Sequence, residues 1–125
     1  MIEPIQSDLI RGQIDTMLLR ILVEKDSYGY EMIKDLKKRS GGRFTLKEPS
    51  LYTSLKRLEK QGFIVSYWGE ESQGGRRKYY HITPEGVEAF FQALRQWKEG
   101  KALLEVLLEG GLSHGPTANG TGSHL

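Results

Sequence analysis

A mainly α fold with one small β hairpin is what this 125-residue sequence predicts, and three observations predict it. Apolar residues recur at helical spacing in three successive segments between Leu9 and Gly62. Two short runs rich in aromatic and β-branched residues follow, Phe63–Trp68 and Lys78–Ile82, with a glycine-rich loop between them. A long helical pattern then extends from Pro84 to about Glu109. Hydrophobic content of 38% and charged content of 27% fit one globular domain with an appendage.

The elements follow in order. Ser7-Asp8 can cap a first helix from Leu9 to about Glu24. Ile14, Met17, Leu18, Ile21 and Leu22 form its inward stripe. Leu9, Gly12, Thr16 and Leu19 make a second apolar or small face, which points to a partner. Asp26-Ser27-Tyr28-Gly29 reads as a turn. A second helix runs from about Tyr30 to Arg39, with Met32, Ile33 and Leu36 inward, and Ser40-Gly41-Gly42 ends it. Phe44-Thr45-Leu46 reads as a short extended piece. Pro49 suits the first turn of a third helix, which Gly62 ends. Gly74-Gly75 supplies the positive φ of a hairpin tip between the two strands. Thr83-Pro84-Glu85 places a cap, a first-turn proline and an acid at the start of the last helix. There Val87, Phe90, Leu94, Trp97, Leu104 and Leu108 keep a three-four spacing, interrupted by Lys101.

The third helix carries the functional signal. Leu51, Leu55 and Leu58 share one face; Ser50, Thr53, Arg57 and Lys60 point away from it, with Tyr52, Ser54 and Lys56 beside them. Hydroxyls and arginine can bond base edges, and lysine can bond phosphate. Arg76, Arg77 and Lys78 leave the hairpin tip as a cationic wing. Charge is concentrated there: residues 34–78 hold twelve Lys/Arg against five Asp/Glu, net +7, against −3 for 1–33 and −2 for 79–125. A groove-sized helix beside a cationic hairpin is the layout of a winged helix-turn-helix reader of double-stranded DNA. The alternatives are an ordinary amphipathic helix and edge-protecting cations. Domain bounds are 5–83 for the winged domain, 84–109 for a dimerisation helix, and 110–125 for a disordered tail with five glycines.

Ser27-Tyr28-Gly29-Tyr30-Glu31-Met32, Leu51 through Glu59, and Tyr67-Trp68-Gly69 through Arg76-Arg77-Lys78-Tyr79-Tyr80 resemble the PadR family of bacterial repressors, in its short form with one C-terminal helix. The resemblance covers about residues 5–109. It implies a homodimer in which the C-terminal helix packs with the partner's first helix, and release from a pseudo-palindromic operator when a small aromatic compound binds. In multidrug-binding members a tryptophan of the C-terminal helix stacks on planar drugs; the matching position is Trp97. Leu9, Gly12, Asp15, Thr16, Phe90, Ala93 and Leu94 are its implied neighbours, with Asp15 selecting cationic compounds. Trp97 as a plain interface anchor is the alternative.

Other functions find little support. Zero cysteines exclude thiolate metal sites and disulfides. The histidines are scattered, no P-loop is present, and neither catalytic residues, a cofactor nor a metal is expected. No apolar run nears the roughly 18 residues a membrane span needs, and Met1–Gln6 lacks the pattern of a signal peptide, so a cytoplasmic location is expected. A winged interaction or ligand-sequestering module that does not read DNA stands as the other function class.

Overall fold

The structure, a computed structural model, describes residues 8–70 and 75–112. The elements are α1 (Asp8–Arg11), α2 (Ile14–Glu24), β1 (Ser27–Tyr28), α3 (Gly29–Arg39), α4 (Glu48–Lys60), β2 (Ile64–Trp68), β3 (Lys78–Ile82) and α5 (Pro84–Glu109). The fold is a mainly helical winged helix with a three-stranded antiparallel sheet of order β1-β3-β2 and a long C-terminal helix. The described residues through Phe91 form one compact unit, and those from Gln92 onward form a second.

In the first unit α2 packs on α4 and β3, and α3 packs on α4. Leu18, Ile21 and Leu22 of α2, Met32 of α3 and Leu51, Leu55 and Leu58 of α4 are almost completely buried. Ile64 and Ile82, paired across β2 and β3, close the core from the sheet side. Truncating one of these leucines to alanine costs about 2–5 kcal/mol, because the cavity it leaves collapses only in part.

Three features differ from the sequence reading. The first helix is broken at Gly12-Gln13: the Gln13 N–H bonds the Ile10 carbonyl at 2.9 Å, a tighter turn, and α2 restarts from Gln13. Glycine costs a helix interior about 1 kcal/mol, so the break falls there cheaply. Ser27-Tyr28, expected to be only a turn, pairs with Tyr80 and Tyr79 as a third strand. Leu19, assigned to a partner face, is buried in this unit's own core, whereas Leu9 stays exposed. The other expected element ends agree within one or two residues.

Two glycines fit their places for steric reasons. Gly75, beside the wing tip, has φ +93°, which a side chain disfavours. A Cβ on Gly86 would run into the Phe63 carbonyl oxygen and lie 2.7 Å from Ile82. Thr83 Oγ1 accepts the Gly86 N–H at 3.0 Å and donates to the Gly62 carbonyl at 2.8 Å, so the cap of α5 is also tied to the turn after α4. The first two turns of α5, with buried Gly86 and Phe90, therefore belong to the winged unit.

In the second unit Trp97, Leu103, Leu104, Val106, Leu107 and Leu108 are all exposed. The Lys101 ammonium lies 5.8 Å from the Trp97 ring centre and 3.8 Å from a Glu105 carboxylate oxygen. Among the described residues no helix is long and apolar enough to cross a membrane. Gly74 of the expected hairpin tip, and the expected disordered tail from Ser113 on, lie outside the described residues.

Candidate nucleic-acid interface

Helix α4 presents Ser50, Tyr52, Thr53, Lys56, Arg57 and Lys60 to the exterior while its leucines face inward. Pro49 sits in its first turn, and the basic residues Arg57 and Lys60 in its last. Cations there complement the carbonyl end of the helix. Ser50, Thr53, Ser54 and Arg57 line a shallow groove of about 300 Å³ with Pro49 and with Ile14 of α2.

Ser54 corrects the sequence reading. It is 3% exposed, and its Oγ accepts an Arg57 Nη2–H at 3.2 Å. Buried beneath the exposed face of α4, its hydroxyl is engaged within the chain and is not offered outward. Sequence spacing placed it at the margin of the face, where the width of the α2 contact decides the outcome.

Arg57 is not free either. Its Nε donates to Asp15 Oδ2 at 2.7 Å and its Nη2 to Asp15 Oδ1 at 2.8 Å. Burial pushes the Asp15 carboxyl up, but hydrogen bonds from Arg57 and Ser54 and the Arg57 charge outweigh it, and the carboxyl ends below its usual range. The Asp15 hydrogen bonds and its charge hold the Arg57 guanidinium above its ordinary value. The family resemblance places Asp15 among ligand residues as a selector of cations. In the structure its carboxylate already binds a cation of its own chain. No local pattern signals a pair so far apart in sequence.

The wing places its cations over aromatic rings. The Arg76 guanidinium lies 5.5 Å from the Trp68 ring centre, Arg77 4.6 Å from Tyr28, and the Lys78 ammonium 5.8 Å from Tyr80. Each such contact is worth about 0.5–1 kcal/mol at an exposed site and limits where the charge can point. Tyr79 stacks on Tyr67 at 5.7 Å and meets Tyr28 edge-on at 5.4 Å, which ties β1 to the wing strands. At the wing's root Asp26 accepts the Tyr67 hydroxyl at 2.5 Å and meets His81 Nδ1 at 2.8 Å. That bond, with burial, pushes the Tyr67 hydroxyl up to about 12. Tyr67 and His81 are a structural brace.

Among the described residues, Lys56, Lys60, Arg76, Arg77 and Lys78 form no ion pair with a carboxylate. Arg39 is spent differently: it bonds Glu24 and Asp35 and joins α2 to α3. Lys34, Lys37 and Lys38 of α3, with Lys25 and Tyr28, border a second shallow hollow of about 570 Å³. The +7 segment of the sequence contains Lys34, Lys37 and Lys38 without a site role for them; their recurrence on one exposed helix face is the available signal.

Of the residues implied as ligand neighbours, Leu9 and Gly12 are exposed and Thr16 is half-buried in the first unit. Phe90 is 6% exposed and packs edge-on against Phe91 at 5.1 Å, so it serves the core. In the second unit Ala93 and Leu94 are half-buried and Trp97 is 40% exposed. Among the described residues no cluster of three metal-ligating side chains occurs.

Residues 18–92 match the transcriptional regulator PadR-like family. An uncharacterised protein of Lysinibacillus sphaericus is 41% identical over 106 residues, which covers 85% of this chain and 97% of that protein. A transcriptional regulator from Clostridium thermocellum superposes with a TM-score of 0.76 at 43% identity, covering 83% of this chain and 98% of the other. A PadR family transcription regulator from Clostridium difficile R20291 gives 0.67 at 40% identity, covering 77% and 98%. With its outward-facing α4, its cationic wing and these relatives, the chain belongs to the PadR-like family of DNA-binding transcriptional regulators, which are not enzymes.

Proposed function

We propose that this protein is a homodimeric repressor that binds a pseudo-palindromic operator in the cytoplasm and releases it when a planar aromatic molecule binds at the dimer interface. The carrying observation is the exposed face of Ser50, Thr53, Lys56 and Lys60 on α4, together with wing cations that pair with no carboxylate among the described residues. Side chains of this kind can bond base edges and phosphates at once. Dimerisation is supported by the run from Trp97 to Leu108, whose exposed leucines and valine exceed what a monomer leaves in water without use. Two-fold symmetry would set two reading helices about one DNA turn apart. The effector's ring stacks on Trp97, and its exposure supports that role.

The test is fluorescence anisotropy on DNA from upstream of the protein's own gene and on scrambled DNA, at several salt concentrations, with sedimentation equilibrium for the oligomeric state. Preference for the native DNA that weakens steeply with salt is the expected result. A flat salt dependence would instead support the ligand-sequestering module, and a monomer at micromolar concentration would remove the two-fold operator.

A further inference from the structure

The Arg57 guanidinium has five N–H groups in a planar fork. Its Nε–H and both Nη2 hydrogens are committed, to the two Asp15 oxygens and to Ser54 Oγ. Only the Nη1 edge remains. A carboxylate and a phosphate present two oxygens to the same fork with the same geometry. Arg57 therefore meets DNA with its phosphate-matching edge already filled by an anion of its own chain. The pair is half exposed, at 50% for the Arg57 side chain and 30% for Asp15, and its arginine lines the same groove as Ser50 and Thr53. It is thus reachable by the ligand that would displace it.

We propose that Asp15 is a specificity-determining residue: its carboxylate stands in for a DNA phosphate and masks Arg57 from DNA of arbitrary sequence. Binding to such DNA is driven almost wholly by phosphate neutralisation and counterion release. An arginine neutralised by its own carboxylate contributes nothing to that unless the pair is first broken. On the operator, base contacts from the same face of α4 seat the helix and hold a phosphate in place, and the exchange of one anion for another is then favourable. Asp15 acts against the wrong partner, as an element that raises a ratio of affinities while lowering one of them. The inference rests on α4 being the reading helix.

The measurement is the affinity and salt slope of wild type, D15N, R57A and the double variant, on native and scrambled DNA. D15N is expected to raise affinity for scrambled DNA by about 2- to 5-fold, the range an exposed ion pair spans. It is expected to steepen the salt slope there by about one and to lower the ratio of native to scrambled affinity. In the R57A background D15N should do markedly less. An equal rise with and without Arg57 would mean simple loss of a negative charge and would overturn the proposal. So would a fall in affinity for native DNA, which would make Asp15 a support for Arg57. Thermal melting confirms that D15N folds, and Asp15→Ser repeats the test if it does not. If R57A and the wing variants leave DNA binding untouched, the reading-helix assignment fails first; if only D15N is silent, the masking role alone fails.

Discussion

Arg57 of α4 and Asp15 of α2 stand 42 residues apart in sequence, yet two hydrogen bonds of 2.7 and 2.8 Å join them. The pair pins the outward face of α4 to α2. Because the Asp15 carboxyl titrates below its ordinary 3.8, its contribution to stability is fully present above that value. It is lost as pH falls through the depressed folded value. Acid unfolding followed by circular dichroism is expected to show D15N as less pH-dependent than wild type in that low window and indistinguishable in slope at neutral pH. Parallel acid limbs would show that the pair does not report on folding.

The wing gives a separate prediction. Replacing both Arg76 and Arg77 by alanine removes two cations that the rings of Trp68 and Tyr28 hold in place. Affinity is expected to fall by a similar factor on native and scrambled DNA, and the salt slope to shrink by about two. A loss confined to native DNA would mean that these arginines read bases.

Trp97 tests the effector. The chain has two tryptophans, so the measurement is made with Trp68 replaced by phenylalanine. Quenching of Trp97 by a planar aromatic cation such as proflavine is expected to saturate. In the chain that retains Trp68, Trp97→Ala is expected to weaken the dye's own fluorescence titration by about 1 kcal/mol or more, with DNA affinity retained. Unaltered dye affinity in that variant would place the ligand elsewhere.

Gly86→Ala is a stability prediction. The added methyl would strike the Phe63 carbonyl and crowd Ile82 at the junction of α5 and the sheet. Helix propensity favours alanine by about 1 kcal/mol, but overpacking against backbone costs about 1–3 kcal/mol. Net destabilisation in urea is the expected sign, and a stabilised variant would show that α5 can shift away from the sheet.

Much of the fold was legible in the residues. Regular periodicity marked α3, α4 and α5. Thr83-Pro84-Glu85 marked the start of α5, and Gly62 ended α4 for a local reason. These features are short-range, set by backbone geometry and by which side of a helix carries leucine. The outward face of α4 followed from the same arithmetic, as did the cations of the wing.

What the residues could not reveal alone lies between elements. Strand β1 has two residues, too few for a period, and exists because Tyr79 and Tyr80 of β3 supply its partners. Leu19 was apolar on a face that looked external, and only packing put it inside. Ser54 and Arg57 sit one turn apart on the expected reading face; the approach of α2 buries the first and gives the second its carboxylate. Local sequence determines which side of a helix is polar. Which polar groups remain unpaired depends on how closely the next helix approaches, and that distance is set by the whole core.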